Sequence, residues 1–182
     1  DLPNETGALL GNLSKPQQVG YDTAAFGQGI AVTPLQMIRA LGALANKGEM
    51  VQPHLVSAIR LNSGIEREID WGKKVRVFSA TSTRETVAMM DALMDEVLYN
   101  KKAKIPTMSV AVKTGTSQLT NPEGGYYKDR FFHSFVGFFP SYAPRFIILL
   151  YTNDPKGVQY ASETLDAAFL DLVHFLIDYY AA

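Results

Sequence analysis

Cysteine is absent from this 182-residue sequence. That excludes disulfides, a thiol nucleophile and Cys-ligated zinc, and leaves the redox compartment undecided. Charge of one sign is missing too: the formal net charge is −1. The chain therefore carries no electrostatic footprint for nucleic acid or for an anionic membrane, and no nucleic-acid partner is expected. The 3 histidines, His54, His133 and His174, are far apart and show no metal-ligand spacing, so no metal site is expected. A long apolar run is lacking as well. The most hydrophobic stretch, near the C-terminus, is broken by Asp166, Asp171, His174 and Asp178 and does not read as a membrane span. The sequence opens on Asp1 rather than methionine and shows no signal peptide, which reads as a piece of something longer.

What remains is ordinary globular composition, 47% hydrophobic and 19% charged, with enough length for one domain with a sizeable core. Residues 1–29 are polar and glycine-rich and read as loop and turns. Thr33, Pro34 and Gln36 form a T-P-x-Q helix start with a capping box. Leu35, Ile38, Leu41 and Ala45 make that helix's apolar face, and Gly48 suits a left-handed stop. Residues 54–61 read as a strand, 62–74 as a hairpin-like excursion and "VRVF" as a second short strand. A helix with the stripe Val87, Met90, Leu93, Met94, Val97, Leu98 is expected from about Ser79 to Tyr99, followed by the exposed basic loop "NKKAKIPT". Three strands then follow without an intervening helix: "MSVAVKTGTSQL", "FFHSFVGFFP" and "RFIILLYTNDP", the first two joined by the connector "TNPEGGYYKDR". A last helix starts at Ser162 with the stripe Leu165, Ala168, Phe169, Leu172, Val173, Leu176, Ile177. Consecutive strands favour an antiparallel meander, and its apolar faces need helices to cover them. The expected class is α+β, an antiparallel sheet flanked by helices.

One stretch carries chemistry. "VAVKTGTSQL" is an apolar strand that ends in a cation, hydroxyls and a glycine. Alternation places Thr114 and Thr116 on one face and Lys113 on the other, so the long lysine stem, or a twist at the strand end, must bring its ammonium round if all three serve one carboxylate. Gly115 lacks a Cβ and would let a substrate backbone approach, either pairing with the strand edge or meeting an N–H aimed at an oxyanion. K-T-G alone is short enough to occur by chance, with Gly115 then serving only the turn. Gly27-Gln28-Gly29 lacks the spacing and the preceding strand of a phosphate loop and reads as a structural turn. Glu123, Tyr126 and Tyr127 read as solvated connector, with substrate contact as the alternative, His133 as a strand-face residue rather than a base, and the phenylalanines around it as core.

The surrounding residues give K-T-G a context. With "DLPNETG", "FGQGIAVTPLQMIRALGALANKGEMVQPHLV", "VKTGTSQ", "FVGFFP" and "YTNDP", the chain resembles the transpeptidase domain of class B penicillin-binding proteins, the peptidoglycan D,D-transpeptidases of division and elongation. The resemblance implies a penicillin-binding (serine β-lactamase-like) fold and a K-T-G strand that walls the active site. Lys113 and Thr116 would be the catalytic contributions: Lys113 in proton transfer and electrostatics, the Thr116 N–H as half of an oxyanion hole. Thr114, Gly115, Thr116 and Ser117 would bind substrate, the hydroxyls of Thr114 and Thr116 taking the terminal carboxylate of a D-Ala-D-Ala stem peptide or a β-lactam. No metal or organic cofactor is implied. The implied partners are the peptidoglycan stem peptide, β-lactams, an upstream part of the same domain, and divisome or elongasome proteins. The implied place is the extracytoplasmic face of the bacterial membrane, with an upstream anchor.

Two parts of the family pattern are absent. None of Ser14, Ser57, Ser63, Ser79, Ser82, Ser109, Ser117, Ser134, Ser141 and Ser162 is followed three residues on by lysine, and no Ser-x-Asn occurs. Tyr151-Thr152-Asn153 spells a related Y-x-N but comes after K-T-G, where the family places that element before it. Asn4 stands where the family has glycine, and asparagine tolerates the same left-handed turn. The expectation is that residues 1–182 are the C-terminal portion of one transpeptidase domain, inactive alone. The alternatives are a D,D-carboxypeptidase or serine β-lactamase of the same superfamily, or a non-catalytic relative that binds peptidoglycan or β-lactams.

Overall fold

The computed structural model describes Pro3 and residues 5–14, 17–96 and 105–181. Four α-helices and seven strands lie among them: α1 (Gln18–Ala25), α2 (Pro34–Ala45), β1 (Glu49–Met50), β2 (Ala58–Arg60), β3 (Glu66–Glu68), β4 (Val75–Arg76), α3 (Ala80–Glu96), β5 (Ala111–Thr120), β6 (Tyr126–Phe139), β7 (Phe146–Asn153) and α4 (Ala161–Ala181). The main sheet is the antiparallel meander β5-β6-β7, and β1–β4 and β2–β3 form two small antiparallel ribbons. The class is α+β, as the strand order requires.

The helix at Thr33 forms for the expected reason. Gln36 N–H donates to Thr33 Oγ1 at 3.2 Å, and Thr33 N–H donates to Gln36 Oε1 at 2.9 Å. Both capping side chains also hold the N-terminal segment. Thr33 Oγ1 donates to Glu5 Oε2 at 2.7 Å, and Gln36 Nε2 donates to the Thr6 carbonyl at 2.8 Å. Gly48 ends the turn with φ 88°.

Three local expectations need correction. Residues 1–29 include a helix, α1, which sequence pattern hides because it has only one buried residue, Gly20. A Cβ there would stand 2.6 Å from the Asn12 carbonyl oxygen, so a tertiary contact rather than an apolar stripe seats it. The strand expected at 54–61 contracts to Ala58–Arg60, because His54 instead stacks on Trp71 at 5.1 Å. The connector after β5 is shorter than expected: a turn closed by Asn121 N–H on the Gly125 carbonyl lets Tyr126 begin β6. Residues 97–99 of the expected second helix and 100–104 of the basic loop lie outside the described residues.

The sheet has two apolar faces. On one, Val112, Phe135 and Phe139 pack with Leu165, Phe169 and Val173 of α4. On the other, Ala111 and Phe138 pack with Val87 and Met90 of α3. This double cover fixes β5 at its start and leaves the rest of the strand, from Lys113 on, to other uses.

Asp166 is the discordant residue of α4. It is 5% exposed, and its Oδ1 has no hydrogen-bond partner among the described residues. Burial pushes its carboxyl up to about 6. The folded state thus holds a proton that the unfolded chain has already lost, so stability falls as pH rises from about 4 to 6 and stays low above. Replacing Asp166 by Asn should raise stability at pH 7 by ~2 kcal/mol, and the gain should vanish near pH 4. Urea unfolding at the two pH values measures it; an equal effect at both would show that the carboxylate is not the cause.

Candidate active site

β5 ends the main sheet, so one of its edges is unpaired among the described residues. Which residues face that edge follows from the ladder. Asp154 N–H donates to the Phe131 carbonyl at 2.8 Å, continuing the β6–β7 register. Odd-numbered residues of β6 therefore turn their N–H and C=O groups to β7, and even-numbered ones turn them to β5. Lys113, Gly115 and Ser117 stand opposite Val136, Ser134 and Phe132 and take those bonds. Thr114 and Thr116 are left with their N–H and C=O groups facing outward.

The lysine reaches that same edge. Lys113 is exposed, and its Nζ donates to the Thr114 carbonyl at 2.7 Å. Its side chain leaves the sheet on the α3 face, and the stem then curls round to the rim. The ammonium so stands on the edge that also carries the outward Thr116 N–H.

The two threonines share the opposite face, with α4. Thr116 Oγ1 accepts the N–H of Ala161, the first residue of α4, at 3.0 Å. Its own O–H is left to donate elsewhere, and Thr116 is exposed. Behind it, in the same register pair, stands His133. His133 is fully buried, and both ring nitrogens are engaged: Nε2 with the Gln159 carbonyl at 2.9 Å and Nδ1 with Thr164 Oγ1 at 2.9 Å. A carbonyl only accepts, so Nε2 carries a proton. His133 thus pins the first turn of α4 against the K-T-G strand and offers no free nitrogen. Sequence alone does not reveal this latch, because it joins residues from β5, β6 and the α4 start that lie far apart along the chain.

Ser117 is half-buried on the Lys113 face. Glu123 and Tyr126 are exposed at the hairpin tip, and Tyr127 lies under the Arg130 guanidinium at 4.6 Å. Tyr151-Thr152-Asn153 ends β7, with β6 between it and the outer edge of β5. Gly27 and Gly29 take φ 89° and 74°, and the Gly29 carbonyl accepts from Asn12 Nδ2, which is a turn's geometry. An open recess is lined by Lys128, Asp129 and Arg130 of β6 and by Lys156, which follows β7. Its cations are partly occupied: Arg130 and Lys156 both hydrogen-bond Asp154, which holds the Asp154 carboxyl below its usual range. Among the described residues no cluster of His, Asp and Glu could hold a metal, and no helix is long and apolar enough to cross a membrane.

Comparison with known proteins gives one consistent result. The sequence model of the penicillin binding protein transpeptidase domain matches residues 1–174. A peptidoglycan D,D-transpeptidase FtsI homolog from Mesostigma viride is 26% identical over 97% of this chain and 32% of its own length. Peptidoglycan D,D-transpeptidase FtsI from Escherichia coli is 29% identical over 91% of this chain and 26% of its own. Among solved structures, apo penicillin binding protein 3 from Mycobacterium tuberculosis superposes with a TM-score of 0.86 at 26% identity, covering 99% of this chain and 42% of that one. Structures of that protein with aztreonam and with ampicillin match equally well, with TM-scores of 0.86. The chain spans about a third or less of the length of these curated relatives.

Proposed function

The chain belongs to the penicillin binding protein transpeptidase domain family, and from that premise we propose that it supplies the K-T-G wall of a peptidoglycan D,D-transpeptidase site. The observation that carries this is the outer edge of β5, unpaired among the described residues, which presents the Thr116 N–H and the Thr114 carbonyl that holds the Lys113 ammonium. An extended stem peptide ending in D-Ala-D-Ala, or a β-lactam of the same shape, can lie along that edge. The Thr116 N–H is then aimed at the carbonyl oxygen that becomes negative, and the free Thr116 O–H at the terminal carboxylate. Lys113 stabilises charge and assists proton transfer between them.

The reaction is acyl transfer through a serine ester. A serine attacks the penultimate D-Ala carbonyl, D-Ala leaves, and an amine of a neighbouring stem peptide resolves the ester. That serine comes from polypeptide outside these 182 residues, since no Ser-x-x-Lys is among them. Residues 1–182 act as the C-terminal portion of the domain, at the extracytoplasmic face of the membrane. No cofactor takes part.

Fluorescent penicillin tests this reading. A protein that joins these residues to its Ser-x-x-Lys segment should be labelled covalently, and the 182 residues alone should not. Labelling of the 182 residues by themselves would overturn the assignment of the nucleophile to another segment. Absence of labelling in the joined protein would overturn the transpeptidase reading and leave a non-catalytic relative.

A further inference from the structure

Gly115 stands opposite Ser134 in the β5–β6 ladder. A Cβ built on Gly115 would lie 2.5 Å from Ser134 Oγ. The serine hydroxyl therefore leans over the Gly115 Cα, in the space that any other residue's side chain would fill. Ser134 Cβ, by contrast, would be 3.9 Å away, an ordinary contact. Gly115 is outside the left-handed region, so its backbone conformation does not call for glycine. The steric demand at this position comes from a single oxygen atom. That oxygen has no hydrogen-bond partner among the described residues. It lies on the same sheet face as Lys113, against the Gly115 Cα.

We propose that Ser134 is a positioning residue for the acyl-transfer site: by seating its hydroxyl on the Gly115 Cα it sets the place of the Gly115–Thr116 peptide, and so of the Thr116 N–H. This rests on the reading of β5 as the cleft wall. It also changes the reason for the glycine in K-T-G. Gly115 answers to the neighbouring strand, and a substrate backbone does not need the space its side chain would take. The two explanations separate cleanly. If substrate needs that space, a methyl at position 115 is harmful whatever stands at 134. If Ser134 needs it, the methyl is harmful only while the hydroxyl is there.

The test uses a transpeptidase that carries these residues with its Ser-x-x-Lys segment. Fluorescent penicillin is varied in concentration, so that non-covalent affinity and the acylation rate constant are read separately. Gly115→Ala should slow the acylation step by ~100-fold, the usual scale for a displaced oxyanion donor. Combining Gly115→Ala with Ser134→Ala should restore that step to within ~10-fold of wild type, with thermal unfolding unchanged. Ser134→Ala alone should slow acylation by ~3- to 10-fold and leave the affinity for penicillin unaltered, because the N–H acts on the transition state. A purely structural serine would not move the acylation constant of a fully folded variant while sparing affinity. Should Gly115→Ala alone fail to fold, the double variant is compared with wild type directly. A double variant that is unfolded, or folded but more than ~10-fold slow, overturns the proposal. A wild type that penicillin does not acylate overturns the transpeptidase reading instead.

Discussion

Lys113→Ala should slow penicillin acylation by at least ~100-fold in a transpeptidase that carries these residues with its nucleophile, while leaving the fold intact. The role proposed for the ammonium rests on where it is held. Lys113 leaves β5 on the α3 face, yet its Nζ rests 2.7 Å from the Thr114 carbonyl on the outer edge. No carboxylate pairs with it among the described residues, so its charge is not committed to a structural ion pair. Removing it costs the fold little, because the side chain is exposed and its one bond is to a rim carbonyl that water can satisfy. Lys113→Arg keeps the charge but exchanges a compact ammonium for a planar fork, and should recover only part of the rate. Acylation kinetics with fluorescent penicillin, read beside thermal unfolding, decide the matter. Unchanged acylation in Lys113→Ala would remove the lysine from the mechanism.

The expected loss also shows what the sequence makes legible. Alternation along "VKTGT" places Lys113 on the face opposite the threonines, and the structure holds its Nζ on the Thr114 carbonyl. The Thr33 capping box and the three-strand meander follow in the same way, from local chemistry and strand order. What stays hidden depends on contacts between distant segments. The bond from Ala161 N–H to Thr116 spans 45 positions, and the pair of Gly115 with Ser134 depends on register across a hairpin. No local period encodes either one. Helix α1 escapes for a related reason: it is held by Gly20 against Asn12 and by Gln18 bonded to Asp22, and has no apolar stripe to announce it. A buried carboxyl at Asp166 is equally silent in sequence, since the pattern of α4 marks it only as a break in an apolar run.

The largest stability effect should come from the other side of β6. Gly137 pairs with Val112, the residue just before Lys113. A Cβ on Gly137 would stand 2.3 Å from Phe169 Cζ and 2.9 Å from Cε2, inside a fully buried contact with α4. Phe169 cannot yield easily, because its ring stacks on Phe135 at 4.4 Å. Gly137→Ala should therefore cost ~3 kcal/mol by overpacking, and Phe169→Ala ~3–5 kcal/mol by leaving a cavity. The two sites share one contact, so they should not add. Phe169→Leu lacks the ring tip that collides, and in the Gly137→Ala background it should cost ~1–2 kcal/mol less than in the wild-type background. Denaturant unfolding of the four proteins measures the coupling; strict additivity would mean that the ring does not set the space at Gly137. The same contact bears on the site. Overpacking there pushes α4 away from the sheet, and α4 is what Thr116 and His133 hold through its first turn. Gly137→Ala should accordingly slow acylation even at temperatures where the protein stays folded, and Phe169→Leu should return part of that rate together with the stability.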